Sequence, residues 1–228
     1  MAHQELFASP LFSIGSIAIT STVVTTWGLM AALGLMAWLT TRHLRIAPRP
    51  LQVAVEGIVL TMEEAIRAVA PQHVRQMLPF IGTLWLYLIV ANLSGLIPGV
   101  QSPTRDLSAT SALAILVFLS VHWFGIRSRG VKSYLHHYLS PSPILLPFHI
   151  ISEITRTVAL AIRLFGNIMS LEMAALLILL VAGFLAPIPI LMLHVIEALV
   201  QAYIFGMLAL VYVAGGLQSQ QRKQEKEN

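Results

Sequence analysis

The sequence contains no cysteine and few charged residues. Only 11% of its 228 residues are Asp, Glu, Lys or Arg, against about 25% in an average soluble domain. Without cysteine, a disulfide framework, a thiolate metal site and a thiol nucleophile are excluded. No Lys or Arg precedes Arg42, so the first apolar stretch lacks the basic region of a cleavable signal peptide, and we expect it to remain as a membrane anchor. The net charge of +4 is spread between apolar segments, which argues against nucleic-acid binding.

The sequence is rich in apolar residues, which make up 57% of the chain. Several stretches without charge reach the ~20 residues that cross a bilayer as a helix. They predict an all-α membrane protein, a single membrane domain over residues 1–228 with about five transmembrane helices. The predicted helices one to five cover residues 13–40, 78–97, 107–126, 149–182 and 188–217.

One segment between the first two predicted helices is too polar to span. It mixes apolar residues with Glu56, Glu63, Glu64 and Arg67, a pattern typical of an amphipathic helix at the membrane interface. The predicted organisation is therefore an N-terminal anchor, this interfacial helix, helices two and three, a helix-four/helix-five hairpin and a tail, in residues 1–50, 51–77, 78–126, 144–217 and 218–228.

The basic residues outside the predicted helices follow helices one, three and five, with Arg105 as the exception. Because Lys and Arg are enriched in cytoplasmic loops, this pattern predicts that the N-terminus lies outside and the C-terminus in the cytoplasm.

Predicted helix four carries the most informative polar residues. A permanently charged guanidinium such as that of Arg163 is unfavourable near the bilayer centre by about 2.5–3.5 kcal/mol, so it suggests a function. At about 100° per residue, Arg156 and Asn167 share its helical face. Glu172 lies about 13 Å outward of Arg163, and Glu153 lies about 15 Å toward the cytoplasm.

Predicted helix five places His194, Glu197 and Gln201 on one face, at spacings of three and four. In an antiparallel hairpin, setting Gln201 opposite Arg163 brings His194 close to the depth of Glu172. The arrangement predicts two polar paths, one from each surface, neither of which passes the arginine. Such a layout prevents direct leakage of ions.

Less specific roles remain open for several of these residues. Glu172 and Glu197 are each compatible with a protonated carboxyl group hydrogen-bonded inside a helix bundle. His194 is compatible with either a satisfied core histidine or a functional one. We expect Glu153 to be a water-facing carboxylate and Asn92 to be an interhelical hydrogen-bond partner.

The sequence has no glycine-rich phosphate loop and no His-Glu-x-x-His motif, so we predict no catalytic residue, cofactor or metal site. The buried charges could also serve a self-contained secondary transporter or ion channel. An intramembrane metalloenzyme is a third and more distant alternative.

Specific motifs resemble subunit a of the F-type ATP synthases. They are Arg163-Leu-Phe-Gly-Asn167 with Glu172 nine residues beyond the arginine, Gln201-Ala-Tyr-Ile-Phe205, Pro103-Thr-Arg-Asp-Leu107 and Asn92-Leu-Ser-Gly-Leu-Ile-Pro98. The resemblance covers most of the chain after Leu78. It implies a stationary subunit whose arginine faces a rotating ring of c subunits, each with a membrane carboxylate. Ions would enter by one half-channel, ride the ring and leave by the other.

The same resemblance implies roles for individual residues. Arg163 corresponds to the essential arginine, Gln201 to its neighbour on helix five, and Glu172 with His194 to the outer half-channel pair. Asn167 and Ser152 correspond to polar lining positions, Gly166 would let the ring approach closely, and Ser152, Glu153 and Arg156 are inner half-channel candidates. Glu197 and Arg156 are additions to the usual pattern, and with the short chain they resemble the divergent bacterial N-type ATPase branch.

The resemblance also implies partners and a location. The partners are the c-subunit ring, the b-subunit peripheral stalk, the remaining ATP synthase subunits and membrane lipid. The transported ion is H⁺ or Na⁺, and the location is the bacterial inner membrane.

Overall fold

The computed structural model describes residues 10–14, 17–42, 50–97, 100–130, 146–183, 186 and 188–218. Over these residues the chain forms a short strand pair, six helices and one 3-10 turn. The elements are β1 (Pro10–Ile14), β2 (Ile17–Thr20), α1 (Ser21–Thr41), α2 (Pro50–Val69), α3 (Val74–Ser94), the 3-10 turn (Pro103–Arg105), α4 (Leu107–Arg129), α5 (Leu146–Ala182) and α6 (Ile188–Gln218). Nearly all of the predicted tail, residues 218–228, lies outside the described residues.

Five helices, α1 and α3 to α6, are long and apolar enough to cross a membrane. This confirms the predicted all-α membrane fold and its number of spans. The 37 residues of α5 and the 31 of α6 exceed the ~20 that a bilayer requires. At about 1.5 Å per residue these helices are roughly 55 Å and 46 Å long, so they tilt or extend beyond the hydrocarbon core.

The predicted start of the first helix is wrong. The prediction placed it at Ser13, whereas α1 begins at Ser21, after the antiparallel pair of β1 and β2 in which Ile14 lies opposite Ile17. β-Branched side chains such as Ile14, Ile17 and Ile19 favour extended backbone. Because isoleucine is also strongly apolar, hydropathy alone did not separate this strand pair from the membrane helix.

The predicted amphipathic segment forms α2, but the helix ends at Val69 rather than at residue 77. The next residues include Pro71, and the residue before a proline is disfavoured in helical conformation. On α2, Arg67 forms an ion pair with Glu63 on the exposed side, whereas Ile66 is fully buried. The placement of α2 at the membrane surface stays a prediction.

The core lies between α3, α4, α5 and α6. Its largest fully buried side chains include Met77, Leu88, Val117, Leu164, Phe205 and Leu210. Helices α3 and α6 approach each other closely, since a Cβ atom on Gly206 would overlap Nε1 of Trp85. The Trp85 ring also stacks on Tyr203, with ring centroids 6.4 Å apart. This part of α6 therefore requires glycine.

Helix α1 is packed much less tightly than α3, α4 and α6. Only 6% of its membrane-spanning window is buried, against 50% for α3. An apolar cleft of about 770 Å³ separates it from α3 and α4, between residues such as Trp27, Leu84 and Leu116. The anchor helix is thus peripheral to the bundle formed by α3 to α6.

We expect Gly206→Ala to lower the free energy of unfolding by about 1–3 kcal/mol, because the added methyl group overlaps the Trp85 ring. The measurement is the unfolding of the full chain in detergent micelles. Gly215→Ala is the matched control on α6, since a Cβ atom there meets no atom within 4 Å. Equal stability of the two variants would contradict the close packing of α3 on α6.

Candidate functional site

Helices α5 and α6 form the predicted antiparallel hairpin. Helix α5 ends at Ala182 and is followed by Gly183, whose positive φ of 84° is the left-handed conformation common after a helix C-terminus. Farther along the pair, Nδ2 of Asn167 donates a hydrogen bond to Oε1 of Gln201 over 2.8 Å. This bond fixes which residues of α5 and α6 lie at the same depth.

Gln201 is 2% exposed and is only partly satisfied. Its Oε1 atom accepts from Asn167, but its Nε2 atom is buried and finds no acceptor within the part of the chain that is described. The structure thus pairs Gln201 with Asn167, one helical turn beyond Arg163, rather than with Arg163 itself. A buried donor without an acceptor is unfavourable by about 1–3 kcal/mol.

Arg163 lies on the outer surface of α5 with its side chain exposed. Within the described ranges it forms no hydrogen bond, ion pair or ring contact. The next residue, Leu164, is fully buried, so the backbone is held by the core while the guanidinium points away from it. A charge within a membrane span normally faces the bundle interior or a water-filled cavity, which makes this orientation unusual.

The helical face around Arg163 includes several small side chains. Ala159, Gly166 and Ser170 lie within about 60° of Arg163 around the helix axis. Ala159 and Ser170 are exposed, and a Cβ atom on Gly166 would meet nothing within 4 Å. No contact within the described chain therefore requires a small residue at position 166.

A polar cluster lies at the C-terminal end of α3, on the predicted outer side. NH1 of Arg105 is 3.2 Å from Oε2 of Glu172, and the two side chains are 34% and 16% exposed. His194 contacts the same end of α3, where its Nε2 atom lies 3.3 Å from the carbonyl oxygen of Asn92. The structure therefore brings Glu172 and His194 into one cluster, and it adds Arg105, to which sequence reasoning gave no role.

The end of α3 separates the two titratable groups of this cluster. His194 is 3% exposed, and its Nε2–H donates to the Asn92 carbonyl oxygen over 3.3 Å. A carbonyl only accepts, so this bond places a proton on Nε2. On the other side, a Cβ atom on Gly95 would lie 3.0 Å from Oε1 of Glu172.

Asn92 is the interhelical partner that the sequence predicted. Its Nδ2 atom donates to the carbonyl oxygen of Ala198 on α6 over 3.1 Å, which confirms the prediction. Its Oδ1 atom is buried and has no donor within the described residues. Glu197, the neighbour of Ala198, is partly exposed and joins no hydrogen bond or ion pair in the described part of the chain.

A second polar cluster joins α4, α5 and α6 on the predicted cytoplasmic side. Glu153 was expected to face water, but its side chain is only 25% exposed, and its Oε2 atom lies 3.6 Å from Nε2 of His122. The Arg156 guanidinium lies over the Tyr212 ring, 5.5 Å from its centroid. Ser152 is exposed.

The hydrogen bonds of His122 indicate how its ring is protonated in this pair. Nδ1–H donates to the Phe118 carbonyl oxygen over 2.9 Å, so Nδ1 carries a proton. Nε2 is on the side of the ring that faces the Glu153 carboxylate, at 3.6 Å. Sequence reasoning missed His122 because a single histidine in an apolar helix has no distinguishing pattern.

Comparison with known proteins identifies the family. The family described as ATP synthase A chain matches residues 23–214. ATP synthase subunit a 2 of Pelobacter propionicus is 64% identical over 218 residues, which cover 95% of this chain and 96% of the relative. ATP synthase subunit a of Legionella pneumophila is 56% identical over 229 residues, which cover 100% of both chains. ATP synthase subunit a 1 of Hahella chejuensis is 67% identical over 205 residues, covering 90% of this chain and 87% of the relative.

The chain belongs to the ATP synthase subunit a family. With five membrane-spanning helices, it is a multi-pass membrane protein of that family, and the relatives above are bacterial. Family membership agrees with the resemblance carried by the motifs around Arg163 and Gln201.

Proposed function

We propose that this chain is the stationary subunit that conducts H⁺ or Na⁺ through the membrane sector of a bacterial rotary ATP synthase. Two offset half-channels would load and unload the carboxylates of a c-subunit ring, and Arg163 would prevent an ion from passing directly between them. The observation that carries this proposal is that the Arg163 guanidinium lies on the exposed face of α5 and has no partner among the described residues.

The outward orientation of Arg163 favours a partner protein over a self-contained transporter. In a lone transporter the buried charges face one another or an internal cavity. Here Arg163 faces away from the core, among small residues that leave room for another helix. A carboxylate on that helix would supply the missing counter-charge.

The attraction between Arg163 and a ring carboxylate is large enough to control its protonation. Two unit charges about 4 Å apart interact by about 4 kcal/mol at an effective dielectric constant near 20. A ring carboxylate that passes Arg163 would therefore release its ion and stay charged until it moves on. The buried Nε2 atom of Gln201 lies on the neighbouring helix, where it could donate to the same site.

The positions of the two polar clusters support the proposal of two half-channels. The cluster of Glu172 and His194 begins about 13 Å beyond Arg163 along α5, and the cluster of Glu153 and His122 begins about 15 Å before it. Neither cluster contacts the arginine in the described structure. An ion could thus reach the ring from one side and leave from the other without crossing a fixed positive charge.

The distribution of basic residues supports an orientation with the N-terminus outside and the C-terminus in the cytoplasm. In that orientation the Arg105–Glu172 end of the bundle faces outward. Besides the ring, we propose a peripheral-stalk b subunit and membrane lipid as neighbours.

Arg163→Ala should assemble into the complex but reduce ion-driven ATP synthesis to background. Without Arg163, no positive charge would make the ring carboxylate release its ion. The measurement is ATP synthesis by the purified complex in proteoliposomes, with co-purification of the ring as the assembly check. Arg127→Ala is the matched control, an exposed arginine at the end of α4. Retained synthesis in Arg163→Ala would overturn the proposed function, and ion flux through the lone chain in liposomes would favour a self-contained transporter.

Gly166→Leu should leave the chain folded in the membrane but abolish coupled synthesis. A Cβ atom at this position meets no atom of the described chain within 4 Å, so we expect the larger side chain to displace a partner that packs beside Arg163. Gly28→Leu on α1 is the control, since its Cβ position is equally open. The readouts are the amount of subunit in the membrane and ATP-driven ion pumping, and normal pumping by Gly166→Leu would place the partner elsewhere.

Glu172→Gln combined with His194→Ala should slow ATP-driven ion pumping at least several-fold, because both titratable groups of the outer cluster are lost. ATP hydrolysis by the complex reports whether it remains assembled. Glu64→Gln, an exposed carboxylate on α2, is the control. Unchanged pumping by the double variant would remove these residues from the ion path.

A further inference from the structure

Arg105 occupies a position that the charge pattern of the chain leaves unexplained. It is the basic residue on the predicted outer side, in the 3-10 turn between α3 and α4. Its neighbours hold the turn in place. Thr104 is fully buried, Oγ of Ser102 donates to the Ala91 carbonyl oxygen over 2.8 Å, and Ser102 and Thr104 share a hydrogen bond of 2.7 Å.

The next residue does not compete for Arg105. The Asp106 carboxylate caps α4 by accepting from the backbone N–H and the hydroxyl group of Ser108, over 2.9 and 2.8 Å. The guanidinium of Arg105 is therefore directed across to α5, where NH1 lies 3.2 Å from Oε2 of Glu172.

The surroundings of Glu172 leave its carboxylate little freedom. One oxygen pairs with Arg105, and the other lies against Gly95, where a Cβ atom would be only 3.0 Å away. The last turn of α3, from Ala91 to Gly95, contains no titratable side chain. From α6, His194 contacts the Asn92 carbonyl oxygen at the same end of α3, and Glu197 lies one turn beyond His194.

We infer that Arg105 is a positioning residue of the outer ion path, which fixes the Glu172 carboxylate against the end of α3. The inference rests on the proposed function. A carboxylate that is held in one place can accept an ion from the outer surface and pass it inward at a defined position. Without the guanidinium, the side chain of Glu172 would be free to rotate and would lose the positive charge beside it.

The test uses Arg105→Gln and Arg105→Met in the assembled complex, reconstituted in proteoliposomes. ATP synthesis is driven by a clamped membrane potential and measured against the pH on the outer side of the subunit. We expect a several-fold lower maximal rate and a pH profile moved to higher pH, because removing a positive charge 3.2 Å from a carboxylate favours the protonated form of that carboxylate. Arg105→Lys keeps the charge and should retain the wild-type profile.

Matched variants separate a functional from a structural effect. Arg127→Gln removes an exposed arginine from the other end of α4 and should leave the pH profile unchanged. In a Glu172→Gln background, Arg105→Gln should produce no further shift, because the group on which it acts is gone.

Three outcomes would overturn the inference. The first is a wild-type rate and pH profile for Arg105→Gln. The second is the same shift of the pH profile when Arg105→Gln is made in the Glu172→Gln background. The third is failure of both Arg105→Gln and Arg105→Met to assemble while Arg105→Lys assembles, which would make the ion pair structural. Loss of synthesis in Arg163→Ala together with a wild-type Arg105→Gln would defeat this inference alone. Retained synthesis in Arg163→Ala would defeat the proposed function beneath it.

Discussion

A guanidinium at membrane depth needs a counter-charge or water, and Arg163 obtains no counter-charge from the described chain. The rest of the fold is consistent with that constraint. Leu164 anchors the backbone beside it in the core, and the acidic residues of α5 lie more than two helical turns away on either side. A charge that could have been neutralised internally is instead presented at the surface, where the compensation must come from another molecule.

The C-terminal end of α3 positions the polar residues on the predicted outer side of the bundle. In its last turn the carbonyl oxygen of Asn92 accepts a hydrogen bond from His194, and the side-chain amide of Asn92 donates to α6. Gly95 has no side chain, which leaves room for the Glu172 carboxylate. Three helices and the 3-10 turn therefore converge on one short stretch of backbone. The hydrogen bond between Asn167 and Gln201 sets the same register deeper in the membrane, so both titratable clusters are held at defined distances from Arg163.

Hydropathy predicted the five spans because the bilayer imposes one length and one composition on each. Helical spacing placed Asn167 on the Arg163 side of its helix and gave His194 a depth near Glu172. Helical spacing could not predict the contacts of Arg105 and His122, because their partners lie on different helices. A single charged or titratable residue also forms no repeating pattern along the sequence. The start of α1 was wrong for a related reason. Isoleucine is apolar in either secondary structure, so only backbone preference distinguished Ile14 and Ile17 from the helix that follows.

The contact between Gly206 and Trp85 has a mechanical consequence. If a ring rotates against the exposed face of α5 and α6, it exerts a sideways force on those two helices at every step. At this contact the indole ring of Trp85 occupies the space that a side chain at position 206 would fill. Sliding of α6 along α3 would bring the indole against the α6 backbone, so the contact resists such sliding. The tight packing of α6 on α3 would thus keep α6 in place when a force acts on its opposite face.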